Sequence, residues 1–185
     1  MSQRDSGYER RERDLYETPE WVTEALLPHL PPIQGKIWEP ACGAGKMATV
    51  LIHGTFNDVY CSDIAPLCEA QTGDFMRAAF EPGFGAIITN PPYEIATDFC
   101  EHALRLMEPE QGIVAMLLRT DFDHARLRSH LFRDCPAFSK KLVLTKRIVW
   151  FEPEPGAKGK SPSFNHAWFI WDWKHNGPPT IGYGP

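Results

Sequence analysis

Gly85-Ala86-Ile87-Ile88-Thr89-Asn90-Pro91-Pro92-Tyr93 is an apolar run that stops abruptly at a polar residue and two prolines. Ile87 and Ile88 favour a pleated, buried strand. Two consecutive prolines cannot continue a ladder, so the chain must leave the sheet in a stiff, extended turn. Asn90 is thereby fixed at the carboxyl end of a strand, the end at which open α/β sheets bind ligands. Tyr93 follows with a flat aromatic face.

Working outward, strand-like and helix-like patterns alternate. On the N-terminal side, Lys36-Ile37-Trp38-Glu39 reads as a first strand and Asp58 to Asp63 as a second. A helix from Met47 to about His53 lies between them, and a weaker third strand ends near Gly73-Asp74-Phe75. On the C-terminal side, Ile95 to Met107 is amphipathic, with Phe99, Ala103 and Leu106 on one face. Gly112 to Leu118 is a wholly apolar fifth strand, and Ala125 to Phe132 reads as a helix. Apolar strands joined through helices imply a parallel sheet covered on both faces. Lys141 to Trp150 and His166 to Trp173 have no helical pattern between them, which implies an antiparallel terminal pair. Trp168 and Trp171 alternate with Phe169 and Ile170, as in a strand packed on both faces.

At 185 residues the chain suits one domain with one sheet. Residues 1–15, rich in charge and poor in aliphatics, read as a flexible arm, 16–175 as the single domain and 176–185 as a C-terminal tail. Within the domain, Thr18 and Pro19 suit the cap and first turn of a docking helix carrying Trp21, Val22, Ala25 and Leu26. No apolar run approaches the ~18 residues of a membrane span, and residues 1–5 do not resemble a signal peptide, so a cytoplasmic protein with no membrane partner is expected. Five cysteines without close pairing argue against a disulfide framework and a metal site; reduced, mostly buried thiols are expected. The formal charge of −5 disfavours nonspecific attraction to nucleic acid, so such a role needs a local basic face. Arg119, Arg126, Lys158 and Lys160 are candidates, the two lysines in a Pro- and Gly-rich loop from Phe151 to Phe164. His102 and His124 have no nucleophile at a telling position and read as packing or surface residues.

Pro40-Ala41-Cys42-Gly43-Ala44-Gly45 turns from the first strand into a helix. Glycines there let the backbone approach a ligand and leave the first helical amides pointing outward. Gly43, Gly45 and Ala48 also satisfy a dinucleotide fingerprint, so a nicotinamide cofactor is a competitor. Glu39 favours a different ligand, since a carboxylate beside the turn would repel pyrophosphate but accept a hydrogen bond from an ammonium group. S-adenosylmethionine carries such a group. Its nucleoside hydroxyls need an acceptor at the end of the next strand, where Asp63 stands, and Asp74 with Phe75 can hold and flank the adenine.

The run Trp38 to Gly45, followed by Thr89-Asn90-Pro91-Pro92-Tyr93, resembles the S-adenosylmethionine-dependent amino-methyltransferases that modify adenine in DNA, most of all the small phage and prophage type. Ser163-Phe164 and Trp168-Phe169-Ile170-Trp171 carry the likeness into the last strands. The resemblance implies a Rossmann-like class I methyltransferase fold, a seven-stranded, mostly parallel sheet with an antiparallel terminal strand. It implies that Tyr16, Thr18 and Pro19 border the methionine end of the cofactor, and that Glu39, Pro40, Ala41, Cys42, Gly43 and Gly45 cradle it. Asp63 and Ile64 would hold ribose and adenine, with Asp74 and Phe75 completing the adenine pocket. Asn90, Pro91, Pro92 and Tyr93 would form the catalytic clamp, and Tyr93, Arg119, Arg126, Lys158, Lys160 and Phe164 would meet the substrate. DNA is the expected partner. An RNA base, a protein glutamine amide and a noncatalytic cofactor-binding subunit are the alternatives.

Overall fold

The computed structural model describes residues 16–55, 57–150 and 164–185. Eight strands form one sheet: β1 (Lys36–Glu39), β2 (Val59–Asp63), β3 (Gln71–Thr72), β4 (Phe84–Thr89), β5 (Ile113–Arg119), β6 (Phe138–Leu144), β7 (His166–Asp172) and β8 (Thr180–Gly184). Their spatial order is β3-β2-β1-β4-β5-β7-β6-β8. The first five strands run parallel, whereas β7 inserts between β5 and β6 antiparallel to both, and β8 lies parallel to β6.

Among the described residues three α-helices cover the sheet, α1 (Glu20–Leu26), α2 (Lys46–Thr55) and α3 (Ala96–Met107). The alternation of side chains along the strands divides the core in two. Ile37, Ala86, Ile88, Ala115, Leu117, Trp168 and Ile170 pack beneath Val22 and Leu26 of α1 and Met47 and Leu51 of α2. Trp38, Ile87, Val114, Met116, Phe169 and Trp171 face the opposite way, against Phe99, Ala103 and Leu106 of α3. Both buried indoles on β7 keep a hydrogen bond, Trp168 Nε1 donating to the Val22 carbonyl at 2.8 Å and Trp171 Nε1 to that of Leu131 at 2.6 Å. β7 is therefore a doubly packed core strand, as its alternating aromatics suggest.

The structure corrects several expectations. Among the described residues there are eight strands instead of seven, and the eighth occupies half of the segment expected to be a tail. Its Gly182 and Gly184 lie over His29, Leu142 and Leu144. β6 is Phe138–Leu144 and not Lys141 to Trp150: Ile148 and Trp150 are apolar because they anchor in the core beside α1, without joining the ladder. Ala125 to Phe132 is not an α-helix but part of two 3-10 turns, Phe122–His124 and Arg126–Leu131. The Arg128 guanidinium folds back to donate to the Phe122 carbonyl at 2.6 Å and lies over the Phe122 ring, tying the two turns together. Of the five free cysteines, Cys42 and Cys100 are buried and three are half-buried.

This topology decides what shares a rim. The carboxyl ends of β1, β2, β4 and β5 place Glu39, Asp63, Asn90 and Arg119 along one edge of the sheet. Because β7 runs the other way, its first residue joins them: His166 pairs with Arg119.

Candidate active site

At that rim lies a cavity bordered by Tyr16 and Thr18, by the turn from Glu39 to Ala44, by Asp63 and Ile64, by Asp74 and Phe75, and by Asn90 and Pro92. Seventy-four positions separate Tyr16 from Asn90, yet the fold brings them into contact. The Asn90 side-chain amide donates from Nδ2 to the Tyr16 carbonyl at 3.3 Å. That bond fixes which end of the amide is which, since a carbonyl accepts only from the nitrogen. Asn90 Oδ1 is buried and has no hydrogen-bond partner. The strand end and the Pro-Pro turn thus hold an oriented acceptor whose capacity is unspent.

Glu39, at the end of β1, is 2% exposed. It accepts a hydrogen bond from the Ala48 amide in the first turn of α2, while Oε2 has no partner. Burial pushes its carboxyl well above the usual carboxylate range, and the neighbouring Cys61 and Asp63 push the same way. A cation entering the cavity would reverse that balance by stabilising the carboxylate.

Asp63 behaves differently. Its Oδ2 accepts from the Gly43 amide at 2.9 Å and its Oδ1 from the Ala65 amide at 2.8 Å. It thereby ties the glycine turn to the end of β2, and each oxygen retains a further acceptor position for a ligand hydroxyl. Gly43 and Gly45 have φ of +50° and +79°, and a Cβ on Gly45 would come within 3.2 Å of Cys68 Sγ. The turn needs glycine for both reasons. Asp74 Oδ1 accepts from the Met76 amide at 3.0 Å, capping the 3-10 turn Phe75–Arg77, and its other oxygen lies 3.4 Å from Arg77 Nε. Phe75 is wedged edge-on against Trp38 and at 4.3 Å between ring centroids from Phe99.

Most of the expected cofactor residues therefore line one cavity. Pro19 and Gly45 do not: Pro19 is the N-cap of α1, and Gly45 shapes the turn from behind. Thr18 makes no side-chain cap to α1 and instead lines the cavity, 5% exposed. Glu17, Lys46, Met47, Met76, Ile95 and Phe99 also line it and were not singled out from the sequence. Phe99 carried the readable signal, because it projects from α3 one turn after the clamp, but its helical spacing marks it equally as core.

On the substrate side, Arg119 lies with its guanidinium 3.6 Å from the centroid of the Phe164 ring, so two expected substrate residues meet. Arg126 is exposed on the 3-10 turn after β5, apart from the cavity lining. Lys158 and Lys160 lie outside the described residues. Among the described residues there is no cluster of side chains able to hold a metal ion, and no helix is long and apolar enough to cross a membrane.

Comparison with known proteins agrees with this architecture. No family model matches the chain. It is 27% identical over 147 residues to ribosomal RNA small subunit methyltransferase C of Shewanella denitrificans, covering 66% of this chain and 42% of that protein. The methyltransferase subunit of a type I restriction-modification system from Streptococcus thermophilus superposes with a TM-score of 0.65 at 10% identity, over 91% of this chain and 47% of that one. The 23S rRNA methyltransferase ErmE superposes with a TM-score of 0.55 at 15% identity, over 89% and 71%. The chain spans less than half the length of the first two.

The fold is that of the class I methyltransferases. The methyltransferase fold carries an antiparallel strand inserted beside β5, and here that strand is β7. S-adenosylmethionine fits the residues present: a buried carboxyl with one unpartnered oxygen for its ammonium group, a glycine turn that lets the ligand approach the backbone, and Phe75, Phe99 and Ile95 as apolar surface for its adenine. A pyrophosphate-bearing dinucleotide fits less well, because the buried acid Glu39 borders the same cavity as the glycine turn and would oppose the phosphates' charge.

Proposed function

We propose that this chain transfers a methyl group from S-adenosylmethionine to an exocyclic amino nitrogen, adenine N6 in DNA. The observation that carries the reading is Asn90, its amide oriented by the Tyr16 carbonyl and its Oδ1 buried without a partner, in the same cavity as Glu39. Bound there, S-adenosylmethionine supplies a methyl carbon made electrophilic by its sulfonium.

The chain's own residues supply the rest. An adenine amino nitrogen is a poor nucleophile because its lone pair is delocalised into the ring. Asn90 Oδ1 and the Pro91 carbonyl accept the two amino hydrogens, which localises the lone pair on nitrogen and aims it at the methyl carbon. As the new C–N bond forms the C–S bond breaks, sulfur keeps the electron pair as a thioether, and the amine proton leaves to solvent afterwards. No strong base is needed. An amide at position 90 also avoids the tight pairing that a carboxylate would make with a sulfonium. Glu39 and the turn from Pro40 to Gly45 hold the methionine end, Asp63, Ile64, Asp74 and Phe75 the nucleoside. Tyr93 and Phe164 stack the base after it leaves the duplex, each stack being worth about 1–3 kcal/mol. Arg119, Arg126, Lys158 and Lys160 meet phosphates.

A base in structured RNA is the second reading, favoured by the relatives that are named for ribosomal RNA. Incubating the protein with methyl-labelled S-adenosylmethionine and either duplex DNA or folded RNA, then digesting to nucleosides and measuring their masses, separates the two. N6-methyldeoxyadenosine from the DNA arm is expected. Label confined to the RNA arm would replace the DNA reading with the RNA one, and label in neither would refute both.

A further inference from the structure

The methionine end of S-adenosylmethionine is a zwitterion, and the cavity meets its two charges unequally. Glu39 answers the ammonium group, but a carboxylate bonded to the same carbon has to enter beside it. Among the described residues that line the cavity, Glu17, Glu39, Asp63 and Asp74 bring carboxyl groups, and Lys46 is the one side chain with a positive charge. Moving an anion out of water into such surroundings is unfavourable unless a cation receives it.

Lys46 stands in the right place to do so. It is the first residue of α2, and the Ala48 amide, two positions further along the same turn, donates to Glu39. Two groups that share a carbon atom need neighbouring partners, and one helical turn carries both. In the ligand-free protein Lys46 Nζ lies 2.5 Å from Glu17 Oε2, with both side chains about half exposed. An ion pair so exposed contributes little to stability, so its cation is readily redirected. An ammonium also has three donor hydrogens, enough for a second carboxylate. Glu17 adjoins Tyr16, whose carbonyl holds Asn90, so the pair stands next to the clamp as well as to the glycine turn.

We infer that Lys46 binds the carboxylate of the cofactor's methionine end, sharing with it the ammonium that Glu17 holds in the ligand-free protein. Glu39 and Lys46 then read the two charges of an amino acid, and the cavity selects ligands that carry both. The assignment deepens the proposed function and rests on Glu39 as the partner of the cofactor's ammonium group.

The test is calorimetry of the full chain with S-adenosylmethionine and with decarboxylated S-adenosylmethionine, which keeps the sulfonium and the amine and lacks the carboxylate. The wild type should bind the decarboxylated ligand about tenfold more weakly, the size of one charge-assisted hydrogen bond. Lys46→Gln should weaken S-adenosylmethionine by about the same factor and leave the decarboxylated ligand nearly unchanged, so that the preference disappears. Lys46→Arg keeps the charge and should retain most of the preference. Glu17→Gln removes a competing carboxylate and should tighten S-adenosylmethionine alone, by about two- to fivefold. Glu39→Gln should weaken both ligands, since both carry the amine. Comparing preferences between variants cancels the intrinsic difference between the ligands.

A wild type without preference would overturn the assignment, and so would a Lys46→Gln protein that keeps the wild-type preference. If the ion pair served only to fasten the Tyr16 segment to α2, Lys46→Gln and Glu17→Gln would weaken both ligands alike, which also overturns it. Should Lys46→Gln fail to fold, the wild-type preference and the opposite-signed effect of Glu17→Gln decide. A Glu39→Gln protein that binds both ligands as the wild type does removes the reading on which the assignment rests.

Discussion

Glu39 and Asp63 are two acids at the ends of adjacent strands, bordering one cavity, and they are built in opposite ways. Asp63 spends a bond from each oxygen on the backbone, to Gly43 and Ala65. Glu39 is more deeply buried, keeps one oxygen without a partner and carries a raised pKa. The same division separates the two sides of the cavity. On the side proposed for the nucleoside the polar groups are held by the protein itself: Asp63 and Asp74 are bonded into their turns and Phe75 is packed among aromatic rings. On the side proposed for methyl transfer, Glu39 Oε2 and Asn90 Oδ1 are buried without partners. Finished polar groups position a ligand, and unfinished ones wait for it. The difference teaches which substitutions should cost chemistry and which should cost only architecture.

The largest effect is expected at Asn90. Asn90→Ala should lower methyl transfer by more than about a hundredfold while S-adenosylmethionine still binds in calorimetry, because an oriented acceptor acts mainly in the transition state. Comparable losses in binding and turnover would assign Asn90 to the finished side.

Glu39→Gln should weaken S-adenosylmethionine binding by about ten- to a hundredfold, the loss of one buried charge-assisted hydrogen bond. The same change should stabilise the ligand-free protein. A carboxyl whose pKa is raised by folding holds its proton more tightly in the folded state than in the unfolded one. Between the ordinary carboxylate pKa and the raised one, the folded state binds more protons, so rising pH lowers stability. Thermal denaturation of the wild type should therefore lose ground to Glu39→Gln as pH rises through that window. Cofactor affinity of the wild type should strengthen over the same window as the carboxylate forms. A pH-independent difference between the two proteins would break the contrast between Glu39 and Asp63.

On the architectural side, Gly45→Ala should destabilise the protein by about 1–2 kcal/mol in chemical denaturation, through its positive φ and the crowding of Cys68. Cofactor affinity should fall with it, since the turn itself is displaced. The smallest effect belongs to Arg126, exposed and away from the cavity: Arg126→Gln should reduce the slope of log affinity for DNA against log salt by about 0.9, with turnover at saturating DNA unchanged.

The central sheet was legible in the sequence because β4, β5 and β7 are nearly continuous apolar runs bounded by glycine, proline or charge. The outer strands were not. β6 begins Phe138-Ser139-Lys140-Lys141, whose polar side chains look like loop, whereas Ile148-Val149-Trp150 looks like strand but only Ile148 and Trp150 turn into the core. β8 contains two glycines, which argue against a strand, and its pairing with β6 is a fact of register that the local sequence does not carry. In the site, Glu39, Asn90 and the glycine turn were readable because their positions follow from strand ends. Phe99 was not, since nothing local separates a side chain that lines a cavity from one that fills a core. His166 reaches the rim only because β7 runs antiparallel to β5, a fact of register that no local pattern carries.

The most direct test of the two-sided cavity is a crystal structure of the protein with S-adenosylhomocysteine. The account predicts the product's amino group on Glu39 Oε2, its ribose beside Asp63 and its sulfur facing Asn90, with Oδ1 still open toward the substrate side. A ligand bound with its amino group away from Glu39, or with its sulfur walled off from Asn90, would contradict it.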